Sequence, residues 1–356
     1  MSSHVEPWLR TALCQFHVIP ACPLALSATR TWDARRQRGL IRYYAAAGVT
    51  GLAVGVHTTQ FAIRDARLGL FRPVLQLAAE ELQRSEQKYQ RRLLKIAGVC
   101  GRTEQALSEA EFAGACGYHA ALVSLAAWQS ATDDELIEHC RRIADVLPMI
   151  GFYLQPAAGG RVLSFSFWRR LAQIDRVVAI KIAPFNRYQT IDVVRAVVEA
   201  GRDDLLLLTG NDDHIIPDLL TPYRFAVGDR HVKQRIRGGL LGQWAVWTHK
   251  AVQLANECRT IAEANEPVPP DMLLLHIEWT DANAAIFDAA NGFAGCIAGI
   301  QEVLRRQGLL ESAACLDPRD DLSVGQAAEI VRVCAAYPHL SDDAFVREHL
   351  DEWLSG

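Results

Sequence analysis

The sequence predicts an α/β fold, a (β/α)8 TIM barrel followed by a C-terminal helical extension. Three observations lead there. Short apolar runs recur eight times before residue 248, with a beat of about thirty residues. Helix-like segments with recognisable caps lie between them. Several runs are too continuously apolar for half-exposed strands, which suits a parallel sheet buried on both faces. A doubly wound open sheet is the rival. Eight regular units favour closure, and no glycine-rich phosphate loop follows the first run.

The strand-like runs are VIPACPL (18–24), TGLAVGV (50–56), LLKIAGV (93–99), AALVSL (120–125), PMIGFYL (148–154), VVAIKIA (177–183), LLLLTG (205–210) and LLGQWAVW (240–247). Asp33 can cap a helix that runs to Gly48, a C′ glycine. Residues 66–92 read as a long helix with Pro73 near its start, and 103–116 as another that stops at Gly117. Thr132 and Glu135 have the T-x-x-E spacing of a capping box, opening a helix to about residue 146. Ser164 caps the next helix, and 188–200 ends at Gly201.

The spacing stretches once, at LTPYRFAVGDRHVKQRIRG (220–238), which is extra, basic and turn-rich. It reads either as a surface excursion or oligomer contact, or as a lid over the site. After residue 248 the pattern is wholly helical. Apolar residues recur at helical spacing in 281–306, Ser323 and Gln326 form a second capping box, and Ser341 after Pro338 starts a last helix. The domain reading is therefore a barrel over 1–250 with an insertion at 220–238, and a helical region over 251–356 packed on it.

The 356 residues are 50% hydrophobic and 22% charged, with a net charge of −4, which is globular composition with no basic block for nucleic acid. The cysteines number nine with no C-x-x-C, which fits a reducing cytoplasm better than a disulfide scaffold or zinc module. Glu6 and Arg10 precede any sustained apolar run, which makes a poor signal peptide. Residues 112–132 lack Asp, Glu, Lys and Arg, but Gly114, Gly117, His119, Ser124 and Gln129 interrupt them as a membrane span. The expectation is a soluble cytoplasmic protein with no membrane partner.

Chemistry concentrates at strand ends. Lys181 sits in VVAIKIAPF, near the C-terminal end of the sixth strand. A buried ammonium is costly, so its pKa falls and the amine becomes a nucleophile for a carbonyl. The plainer alternative is a lysine whose head reaches solvent past the strand end. Tyr153 ends the fifth strand in GFYLQP, where a phenol could move protons to and from an adduct on Lys181; otherwise it is a core tyrosine. HTTQ (57–60) follows the second strand, and the hydroxyls of Thr58 and Thr59, with His57, suit a carboxylate. In GNDD (210–213), Gly210 allows close backbone approach and Asp212 and Asp213 can accept from substrate hydroxyls or cap a helix. Ligand spacing for a metal is lacking beyond Asp212, Asp213 and His214, so neither metal nor other cofactor is expected.

These residues match a pattern. The chain resembles the dihydrodipicolinate synthase / N-acetylneuraminate lyase family of Schiff-base aldolases over roughly residues 15–250. GVTGLAVGVHTT (48–59) is similar to that family's second strand and threonine pair, IAGVCGRTEQALSEAEFAGACGYHAALV (96–123) to its third and fourth strands, FYLQP (152–156) to its tyrosine strand, AIKIA (179–183) to its lysine strand, and TGNDD (209–213) to its strand-seven turn. The resemblance implies an imine between Lys181 and a 2-keto acid such as pyruvate, proton relay by Tyr153, and carboxylate binding near Thr58 and Thr59. Gly210 and Asp212 match positions that line the pocket in sugar-acid members. It also implies a homotetramer or dimer. The chain departs from the pattern at Gln60-Phe61, where the family has Gly-Glu. It departs again at Ala158, where a dihydrodipicolinate synthase has an arginine; that absence argues against lysine biosynthesis, unless nearby Arg161 substitutes. In LAAWQSAT (125–132) the usual loop tyrosine is missing and Trp128 takes the space.

The leading reading is a Schiff-base lyase or hydro-lyase acting on a 2-keto acid, with Trp128, Asp212 and Asp213 shaping the distal pocket. A non-catalytic ligand-binding or regulatory relative is the second reading. A metal-dependent barrel enzyme using His57, Asp212 and His214 is the third.

Overall fold

The computed structural model describes residues 5–355. Among the described residues ten strands form: β1 (His17–Pro20), β2 (Gly51–Val54), β3 (Leu94–Val99), β4 (Ala120–Val123), β5 (Met149–Leu154), β6 (Val177–Ala183), β7 (Leu206–Thr209), β8 (Tyr223–Val227), β9 (Arg230–Gln234) and β10 (Gly238–Leu241). Eight of them make one sheet in the order β1-β10-β7-β6-β5-β4-β3-β2. The Ala21–Ala53 bridge, also parallel, joins the segment after β1 to β2. The fold is a (β/α)8 barrel, and every strand anticipated from the apolar runs is present. Its strands are buried almost without a break, as a sheet covered on both faces requires.

The helices follow from their caps. The first, α1 (Pro7–Leu13), precedes β1. In α2 (Ala34–Ala47) the Asp33 carboxylate accepts from the Arg36 N–H, and Gly48 closes the helix at φ +98°. Next come α3 (Phe71–Tyr89) and α4 (Thr103–Ala115). At α5 (Asp133–Val146) both halves of the Thr132–Glu135 box are made. Ser164 caps α6 (Phe165–Ala172), and Asn186 caps α7 (Arg187–Glu199). The remainder are α8 (Ile215–Leu220), α9 (Thr248–Ala264), α10 (Pro270–Ile286), α11 (Cys296–Arg306), α12 (Gln326–Ala336) and α13 (Asp343–Leu354).

Five details differ from the sequence reading. The long third helix starts at Phe71, after a separate 3-10 turn at Phe61–Arg64. The helical spacing over 281–306 is broken between α10 and α11, where Asp288 (φ +58°) and Gly292 (φ +62°) turn left-handed. The eighth barrel strand ends at Leu241, and Gln243–Ala245 forms a 3-10 turn, because a short apolar run does not by itself distinguish strand from helical turn. At Ser323 only the Gln326 side chain completes the box; the serine hydroxyl donates to Asp288 instead, and α12 begins at Gln326.

The fifth is the 220–238 insertion, which is an antiparallel hairpin of β8 and β9. Its base, at Tyr223, contacts Arg187 at the start of α7. Its tip borders Val198, Gly201 and Asp203 at the other end of α7, across a cavity of about 430 Å³. The hairpin thus runs down α7, away from the C-terminal ends of the strands. It is a surface excursion and does not form a lid.

Two compact units make up the chain. One comprises Met1–His17, Ile96–Leu240 and Cys258–Pro267; the other comprises Val18–Lys95, Leu241–Glu257 and Val268–Gly356. The core of the first packs β4–β7 against α4–α7, with Phe167, Trp168 and Ile180 fully buried. In the second, α13 lies on α2: the Tyr43 ring is 5.4 Å from Trp353, and its hydroxyl donates to Asp342 at 2.8 Å. Each fully buried Leu, Ile or Phe contributes about 1.5–3 kcal/mol. Among the described residues no helix is long and apolar enough to cross a membrane.

Candidate active site

Two lysines are buried in strands, and their surroundings separate them. Lys95, near the start of β3, has its ammonium 2.8 Å from the Glu86 carboxylate. It is held as an ion pair at the N-terminal end of its strand. Lys181 is the fifth residue of β6, toward the C-terminal end, and is 8% exposed. Its Nζ lies 4.5 Å from the centre of the Phe152 ring. Phe152 and Leu208 are its ladder partners on β5 and β7, so the three side chains share a face. Gly210 clears the space beside it: a Cβ there would stand 2.6 Å from Lys181 Cε and 2.7 Å from Ala183 Cβ. The glycine that the sequence marked for close approach is therefore needed by the lysine itself.

Tyr153 is not on that face. It pairs with Ile182, and successive strand residues point to opposite sides. Its ring lies 5.0 Å from Trp168 of α6. Its hydroxyl accepts from the Leu163 N–H at 3.2 Å and donates to the Leu163 carbonyl at 3.4 Å. Burial raises the phenol pKa further. The ladder therefore does not pair Tyr153 with Lys181, and the cause is a single residue. Met149 pairs with Val177, but Ile150 pairs with Ala179, so Val178 bulges. Without that bulge the ladder would bring Tyr153 opposite Lys181; with it, Phe152 takes the place.

The strand-seven turn is built on a buried network that the sequence reading did not single out. Asp218 has a fully buried carboxylate. It accepts from Thr209 Oγ1 at 2.6 Å, from Asn211 Nδ2 at 3.0 Å and from Arg187 Nη1 at 2.6 Å. Asn211 Oδ1 also accepts from the Phe185 N–H at 3.0 Å, tying the loop after β6 to the turn after β7. The asparagine inside GNDD was the available signal. Asp212 is buried at this turn. The Asp213 carboxyl is pushed up chiefly by burial, with the Asp218 charge adding to it. Neither aspartate caps α8, whose N-cap is His214 with no side-chain cap bond.

Trp128 is pinned beside the same sheet. The Arg102 guanidinium lies 4.5 Å from its ring, the His139 ring 4.8 Å, and Nε1 donates to the Gly101 carbonyl. Arg161 donates to the carbonyls of Trp128 and Ala131, so its guanidinium is engaged in holding this loop.

In the second unit, His57–Thr59 forms a 3-10 turn after β2. The two threonines differ. Thr59 Oγ1 accepts from the Gly55 and Val56 N–H groups and donates to the Cys22 carbonyl at 2.7 Å, so it is used up by the fold. Thr58 Oγ1 is buried with no hydrogen-bond partner among the described residues. Gln60 holds φ +68°, rare for a residue with a Cβ, and accepts from the Leu316 N–H at 2.6 Å. His57 is half-buried, its ring 6.0 Å from Phe61. Among the described residues no group of three His, Cys, Asp or Glu could hold a metal ion.

The chain is similar to known proteins in family and fold. The model of the dihydrodipicolinate synthetase family matches residues 18–223. No curated protein sequence matches. Among solved structures, YagE of E. coli K12, a prophage protein of the dihydrodipicolinic acid synthase family in complex with pyruvate, is similar at TM-score 0.72 and 18% identity, covering 91% of this chain and 98% of its own. N-acetylneuraminate lyase from Fusobacterium nucleatum, complexed with pyruvate, is similar at 0.71 and 17%, covering 92% and 99%. Dihydrodipicolinate synthase from Aquifex aeolicus is similar at 0.72 and 17%, covering 92% and 99%.

Proposed function

The chain belongs to the dihydrodipicolinate synthetase family, as a divergent member, and on that premise we propose that it is a Schiff-base-forming lyase acting on pyruvate or another 2-keto acid. The observation that carries the proposal is Lys181: a strand lysine placed near the C-terminal end of β6, over an aromatic ring, with Gly210 clearing its flank. Two similar structures are pyruvate complexes, which supports the substrate class.

The chemistry is condensation followed by bond change at the neighbouring carbon. The Lys181 amine attacks the keto carbon, the carbonyl oxygen takes up two protons and leaves as water, and an iminium remains. From ammonium and ketone to iminium and water there is no net proton change. The iminium draws electrons from the adjacent carbon, which opens aldol cleavage, condensation or dehydration. The family resemblance gives the substrate carboxylate to Thr58, with His57 next to it in sequence, while Thr59 holds its own turn. Gly210, Asp212, Asp213 and Trp128 bound the part of the site that meets the rest of the substrate. The phenol of Tyr153 faces α6 and serves the scaffold.

Borohydride reduction in the presence of pyruvate and a panel of 2-keto acids tests this. One reduced adduct per chain, on Lys181, is expected; absence of any adduct from folded protein would overturn it. The phenylalanine beside the lysine favours one other reading, a relative that binds a keto acid reversibly without turnover. That reading predicts saturable binding with no adduct. The reading also takes the chain as a cytoplasmic homo-oligomer, dimer or tetramer, which light scattering tests for assembly.

A further inference from the structure

We propose that Phe152 is the positioning residue for Lys181: the face of its ring holds the nitrogen and its positive charge, first as ammonium and then as iminium. This rests on the Schiff-base reading above and deepens it. Three observations carry it. Nζ lies 4.5 Å from the Phe152 ring centre, within the range at which a cation is attracted by the π face. The pairing of Phe152 with Lys181 is fixed by the backbone ladder, through the bulge at Val178, and does not depend on one rotamer. On the other flank, Gly210 leaves the lysine stem room. Tyr153, the neighbouring aromatic that could supply a proton, is turned to α6. The residue under the nitrogen therefore stabilises charge and carries no exchangeable proton.

The chemistry that follows is specific. The ammonium first gives up a proton, the amine lone pair forms the C–N bond, the carbonyl oxygen departs as water with the two protons that the nitrogen loses, and the positive charge returns to nitrogen in the iminium. A ring that stabilises this charge favours ammonium and iminium alike. It raises the pH at which the lysine loses its proton, and above that pH it raises the yield of iminium. It does not help proton removal from the substrate carbon, so that proton moves through another group or water.

Phe152→Leu and Phe152→Tyr separate this role from simple packing. Leucine keeps an apolar, buried side chain and removes the π face; tyrosine keeps the face. The readouts are the pH profile of cyanoborohydride trapping with pyruvate and the pH titration of the 13C-dimethylated lysines by NMR. The chain has only five lysines, which makes Lys181 assignable. In Phe152→Leu the midpoint should fall by about half a pH unit, and trapped yield above the midpoint by roughly two- to fivefold. Phe152→Tyr should keep the wild-type midpoint. Coincident profiles for wild type and Phe152→Leu would overturn the proposal, as would equal shifts in both variants, which point to packing. If the wild type forms no adduct, the Schiff-base reading fails instead. The NMR titration still decides whether the ring holds the charge, and a thermal melt of each variant confirms that it is folded.

Discussion

Substituting Gly210 by alanine tests the geometry around the lysine. The added Cβ would meet Lys181 Cε at 2.6 Å, Ala183 Cβ at 2.7 Å and Lys181 Cγ at 3.0 Å. Carbon atoms prefer separations of about 3.5–4.0 Å, so roughly 1 Å of movement is required. The lysine stem can swing, but Ala183 Cβ is fixed to the β6 backbone, so the strand must also give. Overpacking of this kind costs about 1–3 kcal/mol of stability. The larger effect is on chemistry, because the stem can only swing by shifting Nζ from its place over Phe152. A displacement of about 1 Å at a reacting group costs on the order of a hundredfold. Urea unfolding gives the first quantity, and the rate of borohydride trapping with pyruvate gives the second. Gly114→Ala is the control: its Cβ would have only Leu147 Cδ1 near, at 3.8 Å, and in α4 it should gain about 0.5–1 kcal/mol. A Gly210→Ala protein with unchanged stability and unchanged trapping would refute the packing described for Lys181.

Other expectations follow from the same structure. Tyr153→Phe should lose about 1 kcal/mol in urea unfolding, because its hydroxyl serves only Leu163, and should trap keto acid at the wild-type rate; a large loss of trapping would restore the relay role. Thr58→Val should leave stability intact and weaken keto-acid binding by about tenfold, whereas Thr59→Val should destabilise by about 2 kcal/mol through its three backbone bonds; calorimetry and unfolding distinguish the two. His139 has its pKa pushed down to about 4 by burial, with Arg142 and Arg102 adding to it. The unfolded chain therefore binds a proton that the folded chain refuses between about pH 6.5 and 4, and stability falls as pH drops through that window by up to about 1.4 kcal/mol per unit. His139→Gln should show a shallower slope, and parallel slopes would contradict the assignment.

Much of the barrel was legible because its strands are buried on both faces. Eight continuous apolar runs survive as eight strands, and the caps at Asp33, Thr132 and Ser164 form as their spacing requires. The hairpin was not assigned, although Gly228-Asp229 between two half-polar runs is the usual two-residue signal, with Gly228 at φ +57°. The catalytic candidate was legible as a charge in an apolar strand. Its partner was not. Adjacent aromatics at 152 and 153 offer either face, and only the register decides which one turns in. That register depends on a bulge at Val178, which no residue type there announces. The Asp218 network was hidden for another reason: its members come from a strand, two helices, a turn and a hairpin, and converge only in space.

The claim on which the rest depends is that Lys181 forms an imine with a 2-keto acid. Reduction with borohydride in the presence of pyruvate and its homologues, followed by intact mass and peptide mapping, measures it directly. One adduct per chain is expected, carried by the peptide containing Lys181, and none in Lys181→Met. An adduct on Lys95 or a surface lysine, or no adduct from folded protein with any keto acid, would contradict it.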